Sequence, residues 1–150
     1  MKYFTLDWWN GIQVNTNDDD PFELYESYYQ SIQEKLPGAF LKLHNEIYLH
    51  DGNLKSILFS SYNNDLDITI DADDGKGNLR KIKLNYSGVI QYKSYSNKDN
   101  GLPGPLGYGD LGYHEVEILK NCLEHRILFS SGIEIQIQFK DLQLTYKDYV

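Results

Sequence analysis

Residues 107 to 112 read Gly-Tyr-Gly-Asp-Leu-Gly, the G-x-G-x-x-G spacing that lets a backbone approach a dinucleotide pyrophosphate. That chemistry needs a strand entering the loop and a helix leaving it, so that helix N–H groups face the phosphate. Here the loop is entered from Asn97-Lys98-Asp99-Asn100-Gly101-Leu102-Pro103-Gly104-Pro105, a turn-forming run. It is left by YHEVEILKNCLEHRILF, which reads as strand through Tyr113, Val116 and Ile118, or as helix through Val116, Leu119 and Leu123. The context for a nucleotide site is missing. The expected role of residues 97–112 is a long ordered loop crossing an end of a sheet, pinned by Leu102, Leu106, Tyr108 and Leu111. Long loops often carry contacts, so it is also a candidate contact surface.

Asp65, Asp67, Asp71, Asp73 and Asp74 form a local carboxylate cluster, but a calcium loop with Gly75 at position six would begin at Ile70, which is no ligand. An acidic strand face and a hairpin turn are expected instead. Cys122 and His125 with His114 or Glu117 lack the paired spacing of a zinc site. Cys122 is expected as a small apolar residue, with His114 and His125 on strand edges. His50-Asp51 with Ser60, Ser61, Ser130 or Ser131 supplies triad ingredients without a nucleophile elbow, and His50-Asp51-Gly52 reads as a turn. No catalytic residue, metal ligand or cofactor is assigned, and the chain is expected not to be an enzyme.

These residues must be held by elements legible in the hydropathy pattern. Tyr3, Phe4, Leu6, Trp8 and Trp9 suggest a short strand or an anchoring segment. Asp20-Pro21 is a helix start, with aspartate as cap and proline at the first helical position. Phe22, Tyr25, Tyr29, Ile32 and Leu36 then recur on one helical stripe, which Pro37-Gly38 ends. Residues 39–43 suggest a second short helix. From residue 54 onward the period changes to two: Leu66, Ile68 and Ile70, then Leu79 to Tyr86, Val89 to Tyr92, Ile133 to Phe139 and Leu142 to Tyr146. ILFSS occurs at 57–61 and again at 127–131, each copy followed by an alternating strand. A duplicated binding hairpin and an ordinary hairpin both account for it. The expected fold is α+β in one domain, 1–150. An N-terminal helix or helical pair packs on an antiparallel, meander-like sheet of about six to seven strands.

Composition narrows the partners. The net charge of −8 disfavours nucleic acid and anionic membrane, which are negative themselves. The imbalance is local: before Lys35 the only base is Lys2, against Asp7, Asp18, Asp19, Asp20, Glu23, Glu26 and Glu34. Thirteen tyrosines suit half-buried strands and protein interfaces. A single cysteine excludes an intrachain disulfide. With no signal-peptide core and no membrane-length apolar run, a cytoplasmic location is expected.

LHDGNLKSI (49–57), NYSGV (85–89) and HRILFSSGIEIQIQF (125–139) resemble motifs of small bacterial families, some of them similar to immunity proteins of contact-delivered toxin systems. The resemblance covers residues 22 to the end. It implies a cytoplasmic, non-enzymatic α+β protein that neutralises a cognate toxin by binding it; with the acidic balance, the expectation is occlusion of a basic protein partner. Asp18, Asp19, Asp20, Glu23 and Glu26 are the expected steering charges; Trp8, Trp9, Tyr25 and Tyr28 are the expected anchors. The alternative is a small-ligand binder or enzyme with a pocket between sheet and helix under the 97–112 loop, near His114 and Glu115.

Overall fold

The computed structural model describes residues 1–11, 20–95 and 107–149. It is α+β. Helix α1 (Leu6–Trp9) is a single turn, α2 (Pro21–Ile32) runs into a 3-10 turn at Gln33–Lys35, and α3 is Gly38–Asn45. Eight strands follow: β1 (Asn53–Ser60), β2 (Asp65–Asp73), β3 (Leu79–Ser87), β4 (Gln91–Tyr95), β5 (Leu111–Ile118), β6 (Leu123–Phe129), β7 (Glu134–Phe139) and β8 (Asp141–Asp148). The start of α2 follows the local rule: Asp20 accepts a hydrogen bond from the Phe22 N–H at 2.9 Å, and Pro21 occupies the first turn. The aromatic N-terminal segment is a helical turn, not a strand. Thr5 caps it by accepting from the Trp8 N–H.

All strand pairs are antiparallel, but the single six-to-seven-strand sheet is replaced by two four-stranded sheets, in the orders β1-β2-β3-β8 and β4-β7-β6-β5. The meander breaks at Ser87-Gly88. Gly88, at φ +61°, carries the chain from β3 out of the first sheet, and Lys140 carries it back from β7 into β8. The two crossings touch: the Lys140 N–H donates to the Ser87 carbonyl at 3.0 Å, and a Cβ on Gly88 would crowd the Lys140 side chain. Both ILFSS copies end the first strand of a hairpin, β1 into β2 and β6 into β7. Their surroundings differ, because Leu58 and Phe59 are exposed while Leu128 and Phe129 are buried.

The inner faces of the sheets supply the core. Leu66, Ile68, Ile70, Ile82, Leu84 and Tyr86 come from the first sheet, and Ile127, Phe129, Ile135, Ile137 and Phe139 from the second. Tyr86 meets Phe139 edge-on at 5.0 Å across the interface, and Phe40 of α3 stacks on Phe139 at 6.0 Å. Strand β6 is buried along its whole length, so its outer face, Glu124 and Arg126, is covered as well. The cover is the N-terminal segment. Glu115, opposite Arg126 on β5, accepts from the backbone N–H groups of Lys2, Tyr3 and Phe4 and from Arg126 Nε at 2.8 Å. Arg126 also donates to Glu117 at 2.9 Å and to Glu124 at 2.5 Å. Burial alone would lower the Arg126 pKa, but the Glu115, Glu117 and Glu124 carboxylates raise it.

Removing one partner of such a network strands buried charge, which costs about 3–5 kcal/mol. Arg126→Ala should therefore lose that much in urea denaturation and make the first ten residues cleavable by limited proteolysis. A loss below about 1 kcal/mol would show that the network does not hold the segment in place.

Candidate functional site

Strand β5 is an edge of its sheet, and an unpaired edge is a liability. Here side chains cap it. The Val116 N–H donates to the Tyr25 hydroxyl at 2.9 Å and the Ile118 N–H to the Tyr28 hydroxyl at 3.1 Å. Their spacing of three residues on α2 matches two residues along the strand, so α2 lies along the edge. At the other end, His50 Nδ1–H donates to the Gly112 carbonyl at 2.6 Å, and Leu111 exchanges hydrogen bonds with Asp51 and Gly52.

Between these caps, α2, α3, the 46–50 segment and β5 enclose a cavity of about 410 Å³. Its walls are mostly apolar and aromatic: Phe4, Phe22, Tyr29, Phe40, Leu43 and Tyr113. Three of the four histidines line it, namely His44, His50 and His114, and each ring is oriented by another group. His44 stacks on Tyr29 at 3.9 Å and pairs through Nε2 with Glu26 at 3.0 Å. His50 is set by the Gly112 carbonyl and leans on Tyr113 at 5.4 Å.

His114 is set from the core. The buried Tyr86 hydroxyl lies 2.6 Å from His125 Nδ1, and His125 Nε2 lies 3.0 Å from His114 Nδ1. Burial pushes the Tyr86 pKa up, so its proton stays and must be donated. Among the described residues its acceptor is His125 Nδ1, so His125 donates from Nε2 to His114 Nδ1, and His114 carries its own proton on Nε2. The reverse order would leave a buried phenol proton with no acceptor. Burial also holds both imidazoles neutral: it lowers His125 well below the usual histidine range, and with His44 it lowers His114 to about 4. The cavity therefore meets a neutral N–H donor.

His125 is not on a strand edge but inside the second sheet, facing the core; His114 is on the edge strand. Asp18 and Asp19 fall outside the described residues, as do Leu102 and Leu106 of the expected loop. Asp20 is the α2 cap, Glu23 is exposed, and Glu26 is engaged by His44 and Gln30. Tyr25 is buried against β5, and Tyr28 is half-buried beside it. Trp8 meets Phe4, Phe22 and Tyr113 at ring distances of 5.1–5.7 Å. Trp9 lies on Gly112, where a Cβ would collide with its ring.

That contact explains the last glycine of the 107–112 spacing. Gly107 and Gly109 have φ of +64° and +75°, and Gly109 also sits against Ser130. No helix follows them; β5 begins at Leu111 and runs antiparallel to β6, as the strand reading of this stretch expected. The aspartates lie on β2 and in a tight turn, where Asp73 and Asp74 accept from the backbone N–H groups of residues 75–78. Among the described residues no group of three or more His, Cys, Asp or Glu is placed to hold a metal ion, and no serine lines the cavity. Sequence reasoning placed Tyr29 on the α2 stripe but missed its stacking with His44, which lies on α3 where no periodicity links the two residues.

The model of a family described as a protein of unknown function (DUF4085) matches residues 6–139. The chain belongs to that family. The match runs from the start of α1 to the end of β7 and contains every cavity-lining residue except Phe4. No curated protein matches the chain. Among solved structures it is similar to the crystal structure of an uncharacterized protein from Neisseria gonorrhoeae, at 23% identity and a TM-score of 0.44, over 67% of this chain and 94% of that one. Among the described residues no helix is long and apolar enough to cross a membrane.

The neutral histidines make stability depend on pH. Their folded pKa values lie below the unfolded value near 6.5, so between about pH 6.5 and 4 the unfolded chain binds protons that the folded chain does not. Stability is full above pH 6.5 and falls on acidification, with a limiting slope of about 1.4 kcal/mol per pH unit for each histidine. Urea titrations between pH 7 and 4.5 should show this slope, and His114→Asn should reduce it. An unchanged slope in the variant would mean His114 is protonated in the folded state.

Proposed function

We propose that this protein is a binding protein whose cavity between α2, α3 and β5 takes a small, flat, largely apolar molecule. The observation that carries the reading is the joining of aromatic walls to a few fixed polar groups in one recess of about 410 Å³. Small-molecule sites have that composition and size. The polar groups are held by partners of their own, so they need not reorganise when a ligand arrives. The recess lies between sheet and helix beside His114, bordered by Gly112 at the end of the glycine-rich stretch.

A second reading, an immunity-type module that occludes a basic toxin, draws support from the outer face of α2. Leu24 is 45% exposed there beside Glu23, and Phe22, which also lines the cavity, is 51% exposed beside the Asp20 cap. Exposed apolar groups among acids suit a basic partner. On this reading Glu23→Lys slows association with that partner and flattens its salt dependence.

Indole and quinoline are direct probes of the first reading. At ten times the Kd a ligand stabilises by about 1.4 kcal/mol, which in a domain of this size raises Tm by roughly 3–6 °C. Amide resonances of residues 25–29 and 112–114 should move with the same titration. If no bicyclic aromatic shifts them, or if the shifts gather on the outer face of α2, the cavity is not a ligand site.

A further inference from the structure

Along β5 the backbone alternates between facing β6 and facing away. The N–H groups of Val116 and Ile118 face away, towards Tyr25 and Tyr28, while the Leu119 N–H turns inward to the Cys122 carbonyl. From 113 to 119, then, odd-numbered residues bond inward and even-numbered residues point outward. His114 is an even-numbered residue in this unbroken register. Its N–H and C=O therefore leave the sheet on the same side as the Val116 N–H.

Its neighbours on that side are occupied. The Gly112 carbonyl is taken by His50, and the Val116 N–H by Tyr25. The outward N–H and C=O of His114 have no partner among the described residues, and Gly112, Tyr113 and His114 line the cavity. From Gly112 to Ile118, His114 is thus the outward-facing residue with neither group taken among the described residues, and it lies in the recess. Its electrostatics are fixed as well, because the Tyr86–His125–His114 chain keeps the adjacent imidazole uncharged.

Resting on the ligand-binding reading above, we infer that the cavity selects neutral, planar molecules with a lactam-type edge, an N–H beside a C=O, which pairs with the outward C=O and N–H of His114. The aromatic walls take the faces of such a ring system. An extended strand residue offers a donor and an acceptor in one plane, which is what such an edge complements. A charged head group gains nothing from a neutral imidazole and loses its hydration.

The test uses the intact protein, labelled with 15N, and two probes that differ in one proton: isoquinolin-1(2H)-one and its N-methyl derivative. The lactam should bind in the cavity, move the His114 backbone amide resonance downfield, and bind at least about tenfold tighter than the N-methyl compound, whose lost donor leaves the His114 carbonyl unpaired. Equal affinities, with both probes in the cavity, would overturn the edge pairing and leave the ligand site standing. A preference for the lactam without movement of the His114 amide would also overturn the pairing. If neither probe perturbs residues 112–114, the pairing and the ligand site fall together.

Discussion

Everything near the cavity depends on one buried charge cluster. Arg126 is held among Glu115, Glu117 and Glu124, and Glu115 is fully buried. A carboxylate in that position is tolerable only because four donors converge on it, three of them backbone N–H groups from the first residues of the chain. The cluster thereby lays the N-terminal segment over the outer face of the second sheet and sets β5 against β6 in a single register. Phe4 and α1 follow from that segment, and they bring Trp8 and Trp9 onto Tyr113 and Gly112. The cavity wall is thus built outward from a salt-bridge network that never touches it.

The same region shows how an edge strand can be protected without being hidden. Prolines, lysines and bulges are common devices. This protein uses hydroxyls and an imidazole, spaced on α2 and the 46–50 segment to meet alternate backbone groups. Gly112, Val116 and Ile118 are each capped at one group, His114 at neither among the described residues, and His114 lies in the recess. An edge gap in open solvent would invite another chain; enclosed by aromatic rings, it admits only something small.

Surface and interior have opposite electrostatic characters. The chain carries a net charge of −8, and Glu23 is exposed on α2 next to the Asp20 cap. Inside, the tyrosine–histidine chain passes a proton position from core to cavity without placing a charge there. Burial makes this arrangement stable, because an imidazolium at His125 would have to be desolvated next to Arg126. The charge that draws partners to the surface is therefore separate from the polarity that would orient a ligand.

Local chemistry was readable in the amino-acid string. The Asp20-Pro21 cap, the α2 stripe, the short helix after Pro37, the period-two strands and the aspartate turn at 73–78 all form as their residues suggest, because each depends on neighbours a few positions away. So does the antiparallel character. The division into two sheets was not readable, since alternation says which face of a strand is apolar but not which strand lies beside it. Gly88 looked like one more hairpin turn and is a crossing between sheets. Tyr25 and Tyr28 looked like surface anchors because tyrosine suits both water and core; only the placement of α2 along β5 turned their hydroxyls into caps. His125 looked peripheral on its strand, yet its neighbours Glu124 and Arg126 are buried too, satisfied by Glu115, Glu117 and Gln138 from the flanking strands. The string determined the elements and the faces they must bury. The tertiary structure alone decided the cavity, because its polar groups come from α2, α3, the 46–50 segment and β5, which meet only when the helices pack along the edge of the second sheet.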